Sequence, residues 1–257
     1  MNKKEKLLRS LEAKNCLKVI AGINNFNKDN VLKIVGAANK AKATCVDICA
    51  EEEIIESVLD KYPEMPSFVS SIKPTKLKRA MELGADVLEL GNFEVLHEAG
   101  IFPSVDEIIA WAEEIMDFTQ SSVRPLVSIT VPGHLSIKEQ VDLAERLEEM
   151  GVDIIQTEGA SLVNADGSGA LGHVQKVSLT LANTMELAKV LETTYILTAS
   201  GISPQTAPLA IASGAHGVGV GRYVNKLDSE LGMTAATSAL LESLGTKAAK
   251  ETAQSLV

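Results

Sequence analysis

Aromatic side chains are scarce, at 4% of the 257 residues, and cysteine is scarcer, confined to Cys16, Cys45 and Cys49. So few aromatics leave little to stack on an extended planar ring. An odd number of cysteines gives no disulfide framework and suits a reducing compartment. On one strand, Cys45 and Cys49 would stand roughly 13 Å apart, too far to share a zinc ion. Cys16 and Cys45 therefore read as small buried hydrophobes. No apolar run approaches the ~18 residues of a membrane span. An excess of positive charge is missing too: a net charge of −10 and a pI near 5.0 argue against general nucleic-acid or anionic-membrane binding. An anionic metabolite could still enter a locally positive pocket. HExxH, HxH, CxxC and a Ser-His-Asp order are all absent, so zinc chemistry and triad hydrolysis have no support. The opening segment MNKKEKLLRSLEAKN lacks the apolar run and small-residue cleavage site of a signal peptide, which leads us to expect a mature, intracellular, soluble chain.

What is present is a regular alternation. LKVIAG, TCVDIC, SFVSSI, DVLELG, PLVSITV, DIIQTEG, YILTASG and GVGVG have the character of buried strands, and segments with apolar residues three and four apart lie between them. Eight βα units imply a parallel sheet covered by helices, and a length of 257 residues suits one closed (β/α)8 TIM barrel of about 250. The expected organisation is a single domain: an extra N-terminal helix over 1–15, the barrel over 17–227 and a C-terminal helical segment over 229–257.

Residues 70–91 align with residues 200–221, with identities at Ser70/Ser200, Ile72/Ile202, Pro74/Pro204, Ala80/Ala210, Gly84/Gly214, Ala85/Ala215 and Gly91/Gly221. Two readings stay open, a repeated half barrel or the common look of all βα units. Either makes the loops after strands 3 and 7 equivalent. Superposing the even strands places Asp47, Glu89, Gln156 and Gly219 in one interior ring, with Cys49, Gly91, Glu158 and Gly221 in the next ring at the C-terminal mouth. Val46, Ile48, Leu88 and Leu90 then face the helices.

Thr-Ala-Ser-Gly-Ile-Ser-Pro over 198–204 and Gly-Val-Gly-Arg over 219–222 follow strands 7 and 8, where such barrels usually bind phosphate. Glycine lets backbone N–H groups approach an anion, which makes Ser200, Gly201, Ile202, Gly219, Gly221 and Arg222 the candidate phosphate site. Asn24, Ser70, Ser128, Thr130, Gln156 and Thr198 add polar groups near the same end and are candidate substrate contacts. Asp47, Glu89 and Glu158 are the candidate catalytic carboxylates. Three outcomes stay open for the first two: an acid/base pair, a Mg²⁺ site that Glu158 completes, or pairing with Lys18 of strand 1. A Schiff base at Lys18 is disfavoured by its place near the barrel floor. His134 and His173 could reach the mouth, whereas His216 belongs to the closed end. Gly159–Val177 is long and glycine-rich, and reads as a lid.

VIAGINNF (19–26), VDI (46–48), VSSI (69–72), LELGNFE (88–94), VSITVP (127–132), IQTEG (155–159), LTLANT (179–184), SGIS (200–203) and GVGVGRYVN (217–225) together resemble the hypothetical chloroplast reading frame twenty-three family. The resemblance implies an aldolase-type or phosphate-binding TIM barrel of plastids and cyanobacteria, hence cytoplasm or plastid stroma, and implies no established reaction. Arg222 stands where a small residue is expected. The leading functional reading is a lyase or isomerase on a small phosphorylated metabolite. An FMN-binding oxidoreductase is the runner-up, and a non-catalytic ligand sensor or assembly partner the third. FMN and Mg²⁺ are the cofactors in view, neither fixed by the residues, and the oligomeric state, a homo-oligomer included, is open.

Overall fold

The eight apolar runs become eight short parallel strands: β1 (Cys16–Gly22), β2 (Cys45–Cys49), β3 (Ser67–Ser71), β4 (Val87–Leu90), β5 (Leu126–Val131), β6 (Ile154–Thr157), β7 (Tyr195–Thr198) and β8 (Gly217–Val220). They pair in sequence order, and β1 pairs β8, so the sheet closes into the expected (β/α)8 barrel. The structure, a computed structural model, describes residues 2–97, 99–120, 124–164 and 167–245. Residues 246–257 of the expected C-terminal helical segment lie outside them, as do 165 and 166 of the expected lid.

Eleven helices accompany the strands among the described residues: α1 (Lys3–Glu12), α2 (Lys28–Lys40), α3 (Glu52–Lys61), α4 (Pro74–Glu82), α5 (Glu94–His97), α6 (Val105–Phe118), α7 (Ile137–Glu149), α8 (Gly169–Leu187), α9 (Ala207–Ala212), α10 (Arg222–Asn225) and α11 (Glu230–Ser243). Reciprocal side-chain caps start three of them, from Asn2 and Glu5, Ser104 and Glu107, and Ser136 and Glu139. Each such cap contributes about 1 kcal/mol. Val46, Ile48, Leu88 and Leu90 are buried in the layer between strands and helices, as the alternation predicts.

The floor of the barrel is a separate apolar cluster. Cys16, Cys45, Phe68, Val87, Leu126, Ile154 and Leu197 point inward, and α1 closes the end with Leu7 and Leu11, both buried. The mouth admits close packing of a different kind: a Cβ on Gly91 would overlap the Thr130 side chain, so only glycine fits there.

Two features differ from the sequence reading. Helix α8 begins at Gly169, so much of the segment expected to be a lid is already helical. Its glycines are poor helix formers, but propensity is a weak prior that packing overrides, and Val177, Thr180, Asn183 and Thr184 are buried on its inner face. Secondly, Pro74 opens α4, whereas the equivalent Pro204 lies in the loop before α9, so the two related units do not share a helix start.

Candidate active site

The interior ring beneath the mouth is an ionic network. Lys18 Nζ lies 2.5 Å from Glu89 Oε2, with both side chains fully buried. The ammonium also stands 4.6 Å from the centre of the Phe68 ring. Ser128 Oγ donates to Glu89 Oε2 at 3.1 Å, and Gln156 Nε2 donates to Glu89 Oε1 at 3.1 Å and to Thr130 Oγ1 at 3.3 Å. Burial alone would lower the Lys18 pKa, but the charges of Glu89 and then Asp47 raise it above its ordinary value.

Asp47 accepts from Ser70 Oγ, while its Oδ2 has no partner. Burial first, and the Glu89 charge second, push its pKa up to about 7. One lysine thus faces two carboxylates, of which Asp47 holds its proton through mildly acid conditions. The pairing outcome is the one the geometry favours: Lys18 is the cation that Glu89 already holds. Among the described residues, no three His, Cys, Asp or Glu side chains converge on a metal position.

Above this ring the barrel opens into a cavity of about 510 Å³, lined by all six residues of the expected phosphate site and by Asn24, Gln156 and Glu158. Gly201, at φ +78°, takes the left-handed turn. A Cβ there would come within 2.9 Å of Ala160 Cβ. The N–H groups of Gly201 and Ile202 find no acceptor among the described residues, whereas the next one, on Ser203, bonds Thr206 Oγ1 at 2.9 Å. Across the cavity, Arg222 and Tyr223 carry the first two N–H groups of α10, which have no intrahelical acceptor. Lys176 and Lys226 line the same space, and Tyr223 is its single aromatic among the described residues.

Glu158 is the carboxylate of the candidate set that reaches the cavity; Asp47 and Glu89 lie sealed below it. Only 3% of Glu158 is exposed, and its Oε1 has no partner. Burial, and then the charge of Glu94, raise its pKa well above the usual carboxylate range. Gln156 Oε1 is likewise unpartnered. Arg222, Lys176 and Lys226 outnumber the two carboxylates of the lining, Glu94 and Glu158, and this gives a locally positive pocket in an acidic chain.

The sequence reading passes over Glu94, which lies beyond the end of β4 on α5. Its Oε1 accepts from Gly159 N at 3.2 Å, Ser161 N at 3.1 Å and Ser200 Oγ at 2.8 Å. Ser200 Oγ in turn accepts from Ala160 N at 3.2 Å. One carboxylate therefore ties together the loops after β4, β6 and β7. Asn225 escapes the sequence reading as well; its Nδ2 donates to Ile20 O at 2.6 Å and fastens α10 to β1. The acidic residue directly after the LGNF turn is the available signal for Glu94; Asn225 has none.

The remaining candidates are dispersed. Thr198 Oγ1 is 2.8 Å from Thr184 Oγ1 of α8, on the outer side of β7, because Leu197 and Ala199 take the inward positions. Ser128 and Thr130 are buried in the network, and Ser70 lines a smaller neighbouring cavity. His173 lines the large cavity, while His134 pairs with His97 at 3.1 Å and with Pro103 O at 3.0 Å. His216 sits at the closed end and accepts from Ile196 N.

Solved structures of the same architecture include enzymes named for sugar phosphates. The 3-hexulose-6-phosphate synthase of Salmonella typhimurium superposes with a TM-score of 0.65 at 13% identity, over 89% of this chain and 98% of the other. The 3-keto-L-gulonate-6-phosphate decarboxylase of Vibrio cholerae gives 0.61 at 13% identity, over 90% and 96%. At such identities the likeness concerns the fold. In sequence, the uncharacterized protein ycf23 of Cyanophora paradoxa is 34% identical over 224 residues, covering 85% of this chain and 88% of the relative. No helix among the described residues is long and apolar enough to cross a membrane. A family model described as "Protein of unknown function (DUF561)" matches residues 1–250, and the chain belongs to that family.

Proposed function

We propose that this chain is an enzyme, a lyase or isomerase, acting on a small phosphorylated metabolite. The observation that carries the reading is the meeting, in one cavity of about 510 Å³, of unsatisfied backbone N–H groups from two neighbouring rim loops with the buried, unpartnered carboxyl of Glu158. The amides of Gly201 and Ile202, with those of Arg222 and Tyr223 opposite, would receive the phosphate oxygens, and Arg222 would add a charge-assisted bond. Glu158 stands where it can deliver a proton to an oxygen that gains charge as a neighbouring carbon bond breaks or shifts. Gln156 Oε1 accepts from a substrate hydroxyl. Glu89 acts through position only, holding Gln156 in place, and Asp47 stays in the sealed ring below, where it accepts from Ser70. The names of the structural neighbours, both on 6-phosphate sugars, are in keeping with this reading.

Isothermal titration with inorganic phosphate tests it. Arg222→Ala should weaken binding by about tenfold, the equivalent of ~1.4 kcal/mol. Phosphate that does not bind, or that binds the variant equally well, would remove the basis of the reading. A screen of sugar phosphates then separates an enzyme from a sensor, since Glu158→Gln should bind a turned-over substrate and not convert it.

A further inference from the structure

Beside the large cavity lies a second of about 260 Å³, and the two share Asn24 and Val95 as a common wall. Their linings differ in kind. The large one carries the unpartnered Gln156 and Glu158 oxygens and three cationic side chains. The small one exposes mostly apolar surface, from Ile23, Phe26, Ala50, Ile72 and Val95, none of them fully buried, beside the polar Ser70, Ser71 and Lys73. Phe26 is 64% exposed at its rim, a large apolar side chain left in water. Of the charged residues there, Lys76 is already paired with Glu51 at 2.5 Å, so its charge is spent within the protein.

We propose that the small cavity is a subsite for an apolar portion of the ligand, so that the substrate is amphipathic: a phosphate at the loops after β7 and β8, and a hydrocarbon or planar apolar group crossing Val95 to rest against Phe26. The inference rests on the phosphate-binding function proposed for the large cavity and adds the class of the remainder of the molecule. Its physical basis is continuity: a ligand anchored in the polar cavity can extend into this adjoining space, and the walls of that space gain by losing water. An exposed phenylalanine at the rim of such a space costs nothing once the ligand covers it.

The test is a titration series of inorganic phosphate and ethyl, butyl and hexyl phosphate against the full chain. Once the alkyl chain is long enough to pass Val95, each added methylene should tighten binding by two- to fourfold, the upper figure being ~0.8 kcal/mol per buried methylene. Phe26→Ser, on a side chain exposed enough not to disturb folding, should reduce the gain of hexyl phosphate over inorganic phosphate by about fivefold and leave inorganic phosphate itself unchanged. Phosphate that binds with no gain along the series overturns the inference alone. So does a hexanediol bisphosphate that binds better than hexyl phosphate and loses its advantage in Lys73→Ala, because that result marks a second anion site. Failure of the whole series, inorganic phosphate included, refutes the phosphate reading and this inference with it.

Discussion

Lys18→Met would strand Glu89 inside the barrel without its cation. Both partners are fully buried, and their 2.5 Å contact is the one ion pair Glu89 makes among the described residues. Removing one member of such a pair costs about 3–5 kcal/mol, because the charge left behind has no water to solvate it. Two circumstances place the expected loss at the lower end. Ser128 and Gln156 keep donating to Glu89, and Asp47, with a pKa of about 7, is partly neutral already. In a domain of this size 1 kcal/mol corresponds to about 2–4 °C, so the melting temperature should fall by roughly 6–12 °C. Glu89→Gln in the same chain removes the stranded charge and leaves an amide for Ser128 and Gln156, and the double variant should recover more than half of the loss. Thermal and urea unfolding followed by circular dichroism give all three values. A drop of under about 2 °C for Lys18→Met, or a double variant whose losses simply add, would show that the pair is not coupled as described.

Asp47 gives a pH test. Its pKa of about 7 lies above the ~3.9 of an unfolded aspartate, so the native state keeps a proton that the unfolded chain has released. The stability this contributes is complete below about pH 4 and disappears as the pH rises through 7; Asp47→Asn should therefore gain more on the parent at pH 8 than at pH 4. Urea midpoints that move with pH alike in both proteins would contradict this. Glu94→Ala unties the loops after β4, β6 and β7, and hydrogen exchange at Gly159 and Ser161 should accelerate while the strands stay protected; unchanged exchange there would deny Glu94 its bracing role. Gly91→Ala should cost about 1–3 kcal/mol by overlap with Thr130, with partial relief in a Thr130→Ala background. A yellow purified protein with flavin absorbance would favour an FMN oxidoreductase over a lyase or isomerase.

The barrel was legible because its signals are local and repeated. Each strand alternates an apolar outward residue with an inward one, and one register error would have turned Asp47 and Glu89 toward the helices. The glycine-rich turns after β7 and β8 were legible for the same reason, and both open on the large cavity. Thr198 shows where this reasoning stops. Its outward place breaks the rule that such positions are apolar, and it is tolerated because Thr157, Thr184 and Thr198 satisfy one another's hydroxyls. No period in the sequence announces that. The bracing role of Glu94 was illegible, whatever its place after the LGNF turn signals, because its partners, Gly159, Ser161 and Ser200, lie far along the chain and meet it only when the barrel closes. The start of α8 was hidden by Gly167, Gly169 and Gly172, which read as loop until packing decides otherwise.

The helix that stops the barrel floor has a consequence for biosynthesis. Lys3–Glu12 leaves the ribosome before every strand, yet the seat for Leu7 and Leu11 includes Leu126, Ile154 and Leu197, residues made much later. Until those emerge, the two leucines have only Cys16, Cys45, Phe68 and Val87 of that seat to pack against, and the seat is complete only once β7 has been made.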